Sequence, residues 1–386
     1  MNKKKVLLSV TATSMIAVTG AVLVINGGLN SSSAFATNGE VWHHYAAVAP
    51  TETTHGSKEF WASSTDGCAT HTFTDPGVTC VEHTFSAYES FATLSCDDDR
   101  YVPSGNESLG ITPMFSTKNK TVTYGLYPQK NVNDSSLVSA LNALTTPESN
   151  GWYLYNNEHY AKLSATPYTD NSFTSKFDNG TTIVSGTTYW FKCEPITWNV
   201  LSNTNGEYYI LSSLLLDAHR YNEYYSGTKD GHYANNYEYS EIRAWLNNDF
   251  YNSAFALGNS HIQITTVDNS ASTTGSSSNT YACANTEDKV FLPSYKDYKN
   301  SGYGFSTSTG STNTRYCRTT DLARARGAWY QTDSPCLYNG QYWTRSPYYG
   351  DRSNYASYVQ SNGSLSSYPV SRVYVSVRPT LTIKIA

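Results

Sequence analysis

Period-two alternation, one helical stripe and a wet but weakly charged composition predict an α+β fold for this chain, preceded by a small β-rich module. Runs such as Thr121-Val122-Thr123-Tyr124-Gly125-Leu126 and Thr197-Trp198-Asn199-Val200-Leu201 place apolar residues at alternate positions, as half-buried strands do. Ile242, Trp245, Leu246 and Phe250 recur instead at helical spacing. Only 15% of the 386 residues are Asp, Glu, Lys or Arg, while 33 are Tyr, so solubility rests on Ser, Thr, Asn and Tyr. A mean hydropathy of −0.47 excludes several membrane spans. An aromatic content of 14% argues against a mostly disordered chain.

The chain begins with an expected export signal over residues 1–36. Lys3, Lys4 and Lys5 precede an uncharged run from Val6 to Ile25, and Ala34-Phe35-Ala36 offers the small-x-small pattern of a cleavage site. The alternative is an uncleaved anchor, because twenty residues can just cross a bilayer; that segment would then be the chain's sole link to a membrane. Either way the remainder is expected outside the cytoplasm, secreted or at the cell surface. Cleavage after Ala36 removes three Lys and no acid, moving the formal charge from −5 to −8. An acidic chain without a Lys/Arg cluster has no footprint for nucleic acid.

Two parts follow. Residues 40–104 form the small module, rich in His and Cys. A connector at Pro103-Ser104-Gly105-Asn106 leads to a second domain over residues 121–386. Further strands are expected at Thr188-Tyr189-Trp190-Phe191 and Tyr208-Tyr209-Ile210-Leu211. A helix is expected from Ser240, as N-cap, to about Phe255, and a shorter one over Asp321 to Arg326 between Thr320 and Gly327. Asn269 to Thr280 and Ser306 to Thr314 read as polar surface loops. Strands at Trp343-Thr344-Arg345-Ser346, Ala356-Ser357-Tyr358-Val359 and Val373 through Ile385 close the chain.

The order of these motifs is specific. Tyr124-Gly125-Leu126-Tyr127-Pro128-Gln129, Trp190-Phe191-Lys192-Cys193-Glu194-Pro195, Ser240-Glu241-Ile242-Arg243-Ala244-Trp245-Leu246, Trp343-Thr344-Arg345-Ser346-Pro347 and Val377-Arg378-Pro379 together resemble a domain-of-unknown-function family of Firmicutes surface proteins. Ser376 departs from that pattern, where Gly would be expected. The ending is similar to the C-type-lectin-like fold, shared with relatives of the formylglycine-generating enzyme. The resemblance implies two helices, a small antiparallel sheet and long irregular loops. It carries no catalytic role, since fold does not give function. The stretch from His44 to Trp61 resembles a short module that serves such proteins as a stalk or spacer.

Candidate chemistry is sparse. Cys68-x-x-His71 and Cys80-x-x-His83 repeat at an interval of twelve residues and could hold a structural zinc tetrahedrally. A Cys68–Cys80 disulfide is equally open, and Cys96 leaves an odd count. Cys193, Cys283, Cys317 and Cys336 allow one or two further disulfides. Glu194-Pro195-Ile196 and Trp198-Asn199-Val200 lack the oxygen ligands of a calcium-dependent sugar site. Arg345 and Arg378, beside apolar strand positions, read as buried structural groups. Tyr221, Tyr224, Tyr225, Tyr348 and Tyr349 stand in two Tyr-rich segments and combine flat rings with hydrogen-bonding tips. They are the candidate ligand-binding residues of an exported binding protein for a glycan or a protein. The alternatives are an enzyme on the related scaffold and a structural wall component.

Overall fold

A computed structural model describes residues 41–46, 59–64, 110–116 and 120–385. The signal segment, Cys68, His71, Cys80 and His83 lie outside the described residues. The chain divides into two units, Met1–Thr123 and Tyr124–Ala386. In the first, β1 (Val41–Ala46) and β2 (Glu59–Ser64) pair antiparallel. β3 (Met114–Ser116) pairs with the first residues of β4 (Thr121–Asn131).

The structure is mostly β, with 35% strand against 14% helix, and this overturns the α+β, C-type-lectin-like expectation. The reason is visible strand by strand. The run from Thr188 to Thr204, expected from sequence as two strands, forms one 17-residue strand, β9. Pro195 interrupts the alternation but not the strand. β6 (Glu158–Ser164) pairs with Thr188 to Lys192 and β10 (Glu207–Ser212) with Trp198 to Thr204, so Pro195 falls between these two partners, while β4 lies beside β9 as well. Two tight turns extend the sheet. Asn156 and Asn157, both at positive φ, join β5 (Tyr153–Tyr155) to β6; Asn205 and Gly206 join β9 to β10 in the same way. With β20 (Thr380–Lys384) beside β10, the strand order is β20-β10-β9-β4-β3, and the seven-stranded sheet curls into a half-barrel.

Shorter strands build the rest. β7 (Thr169–Asp170) pairs with β8 (Phe173–Thr174). A second sheet has the order β11-β19-β16-β17-β18, from Asp217–Ala218, Ser376–Val377, Tyr342–Pro347, Tyr355–Val359 and Leu365–Pro369. Two further hairpins are β12 (Thr228–Lys229) with β13 (His232–Tyr233), and β14 (Thr265–Val267) with β15 (Thr286–Asp288). The expected single strand from Val373 to Ile385 is divided into β19 and β20, separated by Arg378 and Pro379.

Helices are few and short. α1 (Ser135–Asn142), not expected from the sequence, is capped by Asp134, whose carboxylate accepts from the Leu137 N–H at 2.7 Å. It buries Leu141 against Tyr153, Tyr160 and Trp190. The expected long helix runs as α2 (Glu241–Trp245), a π-helical turn (Leu246–Phe250) and α3 (Tyr251–Ala254). Ser240 caps it as expected, and Phe250 packs on Tyr127 of β4 with ring centroids 5.0 Å apart. β4 approaches this helix closely at Gly125, where φ is +76° and a Cβ would stand 2.6 Å from the Phe255 ring. α4 (Asp321–Ala325) is capped by Thr320, and Gly327 follows it at φ +109°.

The long loops contain buried backbone, and arginines satisfy it. Arg315 is fully buried and donates to five carbonyls: Nε to Gly363 (2.6 Å), Nη1 to Tyr298 and Ser306 (2.9 and 2.8 Å), and Nη2 to Ser308 and Gly310 (2.7 and 3.0 Å). The loop from Ser306 to Gly310 is thereby wrapped around a guanidinium. Arg315→Lys supplies fewer donors and loses the planar fork, leaving carbonyls unmatched. We expect it to cost about 2–4 kcal/mol and to lower the thermal midpoint by roughly 5–10 °C. Calorimetry of the variant checks this, and an unchanged midpoint would show that water replaces the guanidinium.

Candidate functional site

The five tyrosines singled out in the sequence do not share one environment. Tyr221 is a core residue, a correction to its expected binding role. Its hydroxyl donates to the Arg345 carbonyl at 2.8 Å and its ring meets Trp343 edge-on, so no ligand reaches it. Tyr225 is half-buried and spans its own hairpin, donating to the His232 carbonyl at 3.2 Å. Tyr224 and Tyr349 are 52% and 47% exposed and could be reached by a partner. Tyr348 is half-buried beside Tyr349, with ring centroids 5.1 Å apart.

The fold brings the two tyrosine segments together. Asn235, fully buried, donates its side-chain amide to the Tyr355 carbonyl at 3.0 Å and its backbone N–H to the Ser353 carbonyl at 3.0 Å. That ties the loop after β11 to the turn between β16 and β17. A third loop joins through Asn279, whose amide donates to the Pro347 carbonyl at 3.1 Å. It carries Tyr281, which meets Tyr233 edge-on at 5.0 Å. Tyr239 stacks on His232 with centroids 3.5 Å apart and is 55% exposed. Tyr281 escapes a reading of the sequence because it stands alone in a Ser/Thr-rich loop, and no periodicity marks it.

A separate cleft of about 760 Å³ opens elsewhere in the second unit. Tyr127, Trp245, Asp249, Asn252, Asn259 and Arg326 are among its lining residues, and none of the five predicted tyrosines is. Behind it, the Tyr127 hydroxyl donates to buried Asp217 Oδ2 at 2.6 Å, and Arg326 Nε stands 3.4 Å from Asp217 Oδ1. Trp245 is stacked on His219, with centroids 5.2 Å apart. Only Trp245 on the amphipathic helix hints at this cleft in the sequence, and its spacing also fits a core residue.

Among the described residues no group of three or more His, Cys, Asp or Glu is placed to hold a metal. Cys193, Cys283, Cys317 and Cys336 are unpaired, so the disulfides allowed by their number do not form between them. Burial raises the Cys193, Cys283 and Cys317 thiols, Cys317 to about 11, which keeps them protonated and unreactive at neutral pH.

Residues 205–385 match a family model described as a domain of unknown function, DUF6273. The match includes all three tyrosine-bearing loops and the helix that carries Trp245. No curated protein and no solved structure matches the chain.

Buried tyrosines give the domain a defined alkaline limit. Burial raises the hydroxyls of Tyr127, Tyr221 and Tyr298 well above their ordinary value of 10.0. Between pH 10 and those values the folded state keeps protons that the unfolded chain loses, so stability falls as pH rises. Three such groups give about 4 kcal/mol per pH unit above pH 10. Tyrosinate absorbance during alkaline titration should rise in two stages, the second coincident with unfolding. A single reversible stage in a folded protein would refute this.

Proposed function

We propose that the protein is exported and recognises an extracellular protein through the tyrosine-bearing loops. One observation carries the reading: three loops distant in sequence are fastened together through Asn235 and Asn279, and they leave Tyr224, Tyr233, Tyr239 and Tyr349 accessible. Tyrosine gives a recognition surface large contact area at low entropic cost, with a hydroxyl at its edge. Buried hydrogen bonds, not the tyrosines themselves, fix the backbone beneath, so the surface is preorganised. The basic n-region and small-x-small site supply the reason for placing it outside the cytoplasm. Residues 40–104 then act as a spacer.

The test is a cell-surface pull-down with the full chain, comparing the wild type with Tyr239→Ala and Tyr349→Ala singly and together. Each change should weaken capture of a protein partner by about 5- to 30-fold, corresponding to about 1–2 kcal/mol per anchor. Thermal stability should change by less than capture does, because both residues are about half exposed and their rings pack on other surface rings. Capture unaffected by the double substitution would remove the surface, and capture of a glycan alone would reassign its ligand.

A further inference from the structure

We infer that the Trp245 cleft is a second binding site, independent of the tyrosine loops, and that it takes a neutral oligosaccharide. The volume of about 760 Å³ lies in the range of small-molecule sites. It is a roomy space for several linked sugar rings. Its lining joins three aromatics, Tyr127, Trp245 and Phe255, to short polar groups, the combination that a sugar requires. A pyranose ring has an apolar face of C–H groups, which packs on an aromatic plate, and a rim of hydroxyls that need donors and acceptors.

Trp245 supplies the plate. His219 stacks beside it at an interplanar angle of 25°, and Phe250 flanks it with centroids 5.6 Å apart, so its orientation is set before a ligand arrives. Exposed Asn252 and Asn259 line the cleft, and among the described residues their side-chain amides have no hydrogen-bond partner. Each therefore offers a donor and an acceptor at once. Asn150 commits its Oδ1 to the Trp152 N–H at 3.0 Å, leaving its amide N–H groups as donors.

Charge selects the neutral class. Arg326 is the cleft's cation, and Asp217 stands 3.4 Å from it. Asp249 adds a second carboxylate to the lining. An acidic sugar would meet the two carboxylates of Asp217 and Asp249 beside the single guanidinium. A cationic ligand would meet Arg326. A polyhydroxylated neutral chain satisfies both signs with hydroxyls that donate and accept.

The experiment uses the full chain and isothermal titration with neutral gluco-, xylo- and N-acetylglucosamine oligomers of three to six units. An oligogalacturonate serves as the acidic control. At least one neutral series should bind, with affinity rising with length. Trp245→Ala should weaken it by tenfold or more, Trp245→Phe by less, and Asn252→Ala by about threefold. Should Trp245→Ala fail to fold, exposed Asn252 and Asn259, changed together to Ala, test the cleft equally well. Tyr349→Ala should leave this binding unchanged, so failure of the loop surface and failure of the cleft are told apart. Absence of binding by every neutral series at millimolar concentration would overturn the proposal. So would tighter binding of the oligogalacturonate, or affinity indifferent to both Trp245 and the asparagines.

Discussion

A guanidinium that donates to backbone carbonyls is the interaction on which the rest of this structure depends. The second unit holds long irregular segments against two sheets, and irregular backbone brings carbonyls into the interior without a ladder to meet them. Arg315 answers with five bonds to the carbonyls of Tyr298, Ser306, Ser308, Gly310 and Gly363. Arg345 does the same for another region. It donates to the Leu292 and Asp268 carbonyls, each at 3.0 Å, while Asp297 balances its charge at 3.0 Å. Arg324 joins the carbonyl of Lys176 to the carboxylates of Asp178 and Asp321. Burying a cation is costly unless its bonds are matched. Here the carbonyls need donors as much as the cations need acceptors, and the two demands cancel.

The charges divide between interior and surface. Buried arginines hold structural positions, and many of the remaining ion pairs, such as Lys229 with Glu223, are exposed and worth little. Stability then rests on aromatic burial. Trp198 and Phe255 stack over the strand–helix contact, and Tyr298 packs edge-on to both Phe305 and Tyr342. Tyrosine consequently has two roles that composition cannot separate. Tyr221, Tyr237 and Tyr298 are core residues, whereas Tyr224, Tyr239 and Tyr349 face solvent.

That double role marks how much is legible in sequence. Local signals hold where a short-range rule governs. Ser240 and Thr320 do cap their helices, the alternation around Trp343 and Tyr358 does make strands, and Arg345 and Arg378 are buried. The fold class is not legible because it depends on long-range pairing. Nothing local shows that β9 continues through Pro195, since that requires knowing that β6 and β10 pair on either side of it. α1 escapes notice because its apolar stripe is only Leu137, Val138 and Leu141. Tyr221 misleads because its neighbours in sequence, Tyr224 and Tyr225, point to a surface, while its partner Arg345 lies 124 residues away.

The cleft is the least legible feature for the same reason. Behind it is a contact between Tyr127 on β4 and Asp217 on β11, 90 residues apart, and its lining comes from the helix, the turn after α4 and the loop at Asn150. No two of these carry a motif. What joins them is the half-barrel: β4 comes close to the end of the helix at Gly125, and the helix carries Trp245 to the cleft. A larger residue at Gly125 would press on Phe255 and push the helix away, moving the Trp245 plate relative to Tyr127. The geometry of the cleft therefore depends on the contact between Gly125 and Phe255, a residue of its own lining, while the exposed side chains of Asn252 and Asn259 on either side make no contact that the scaffold needs.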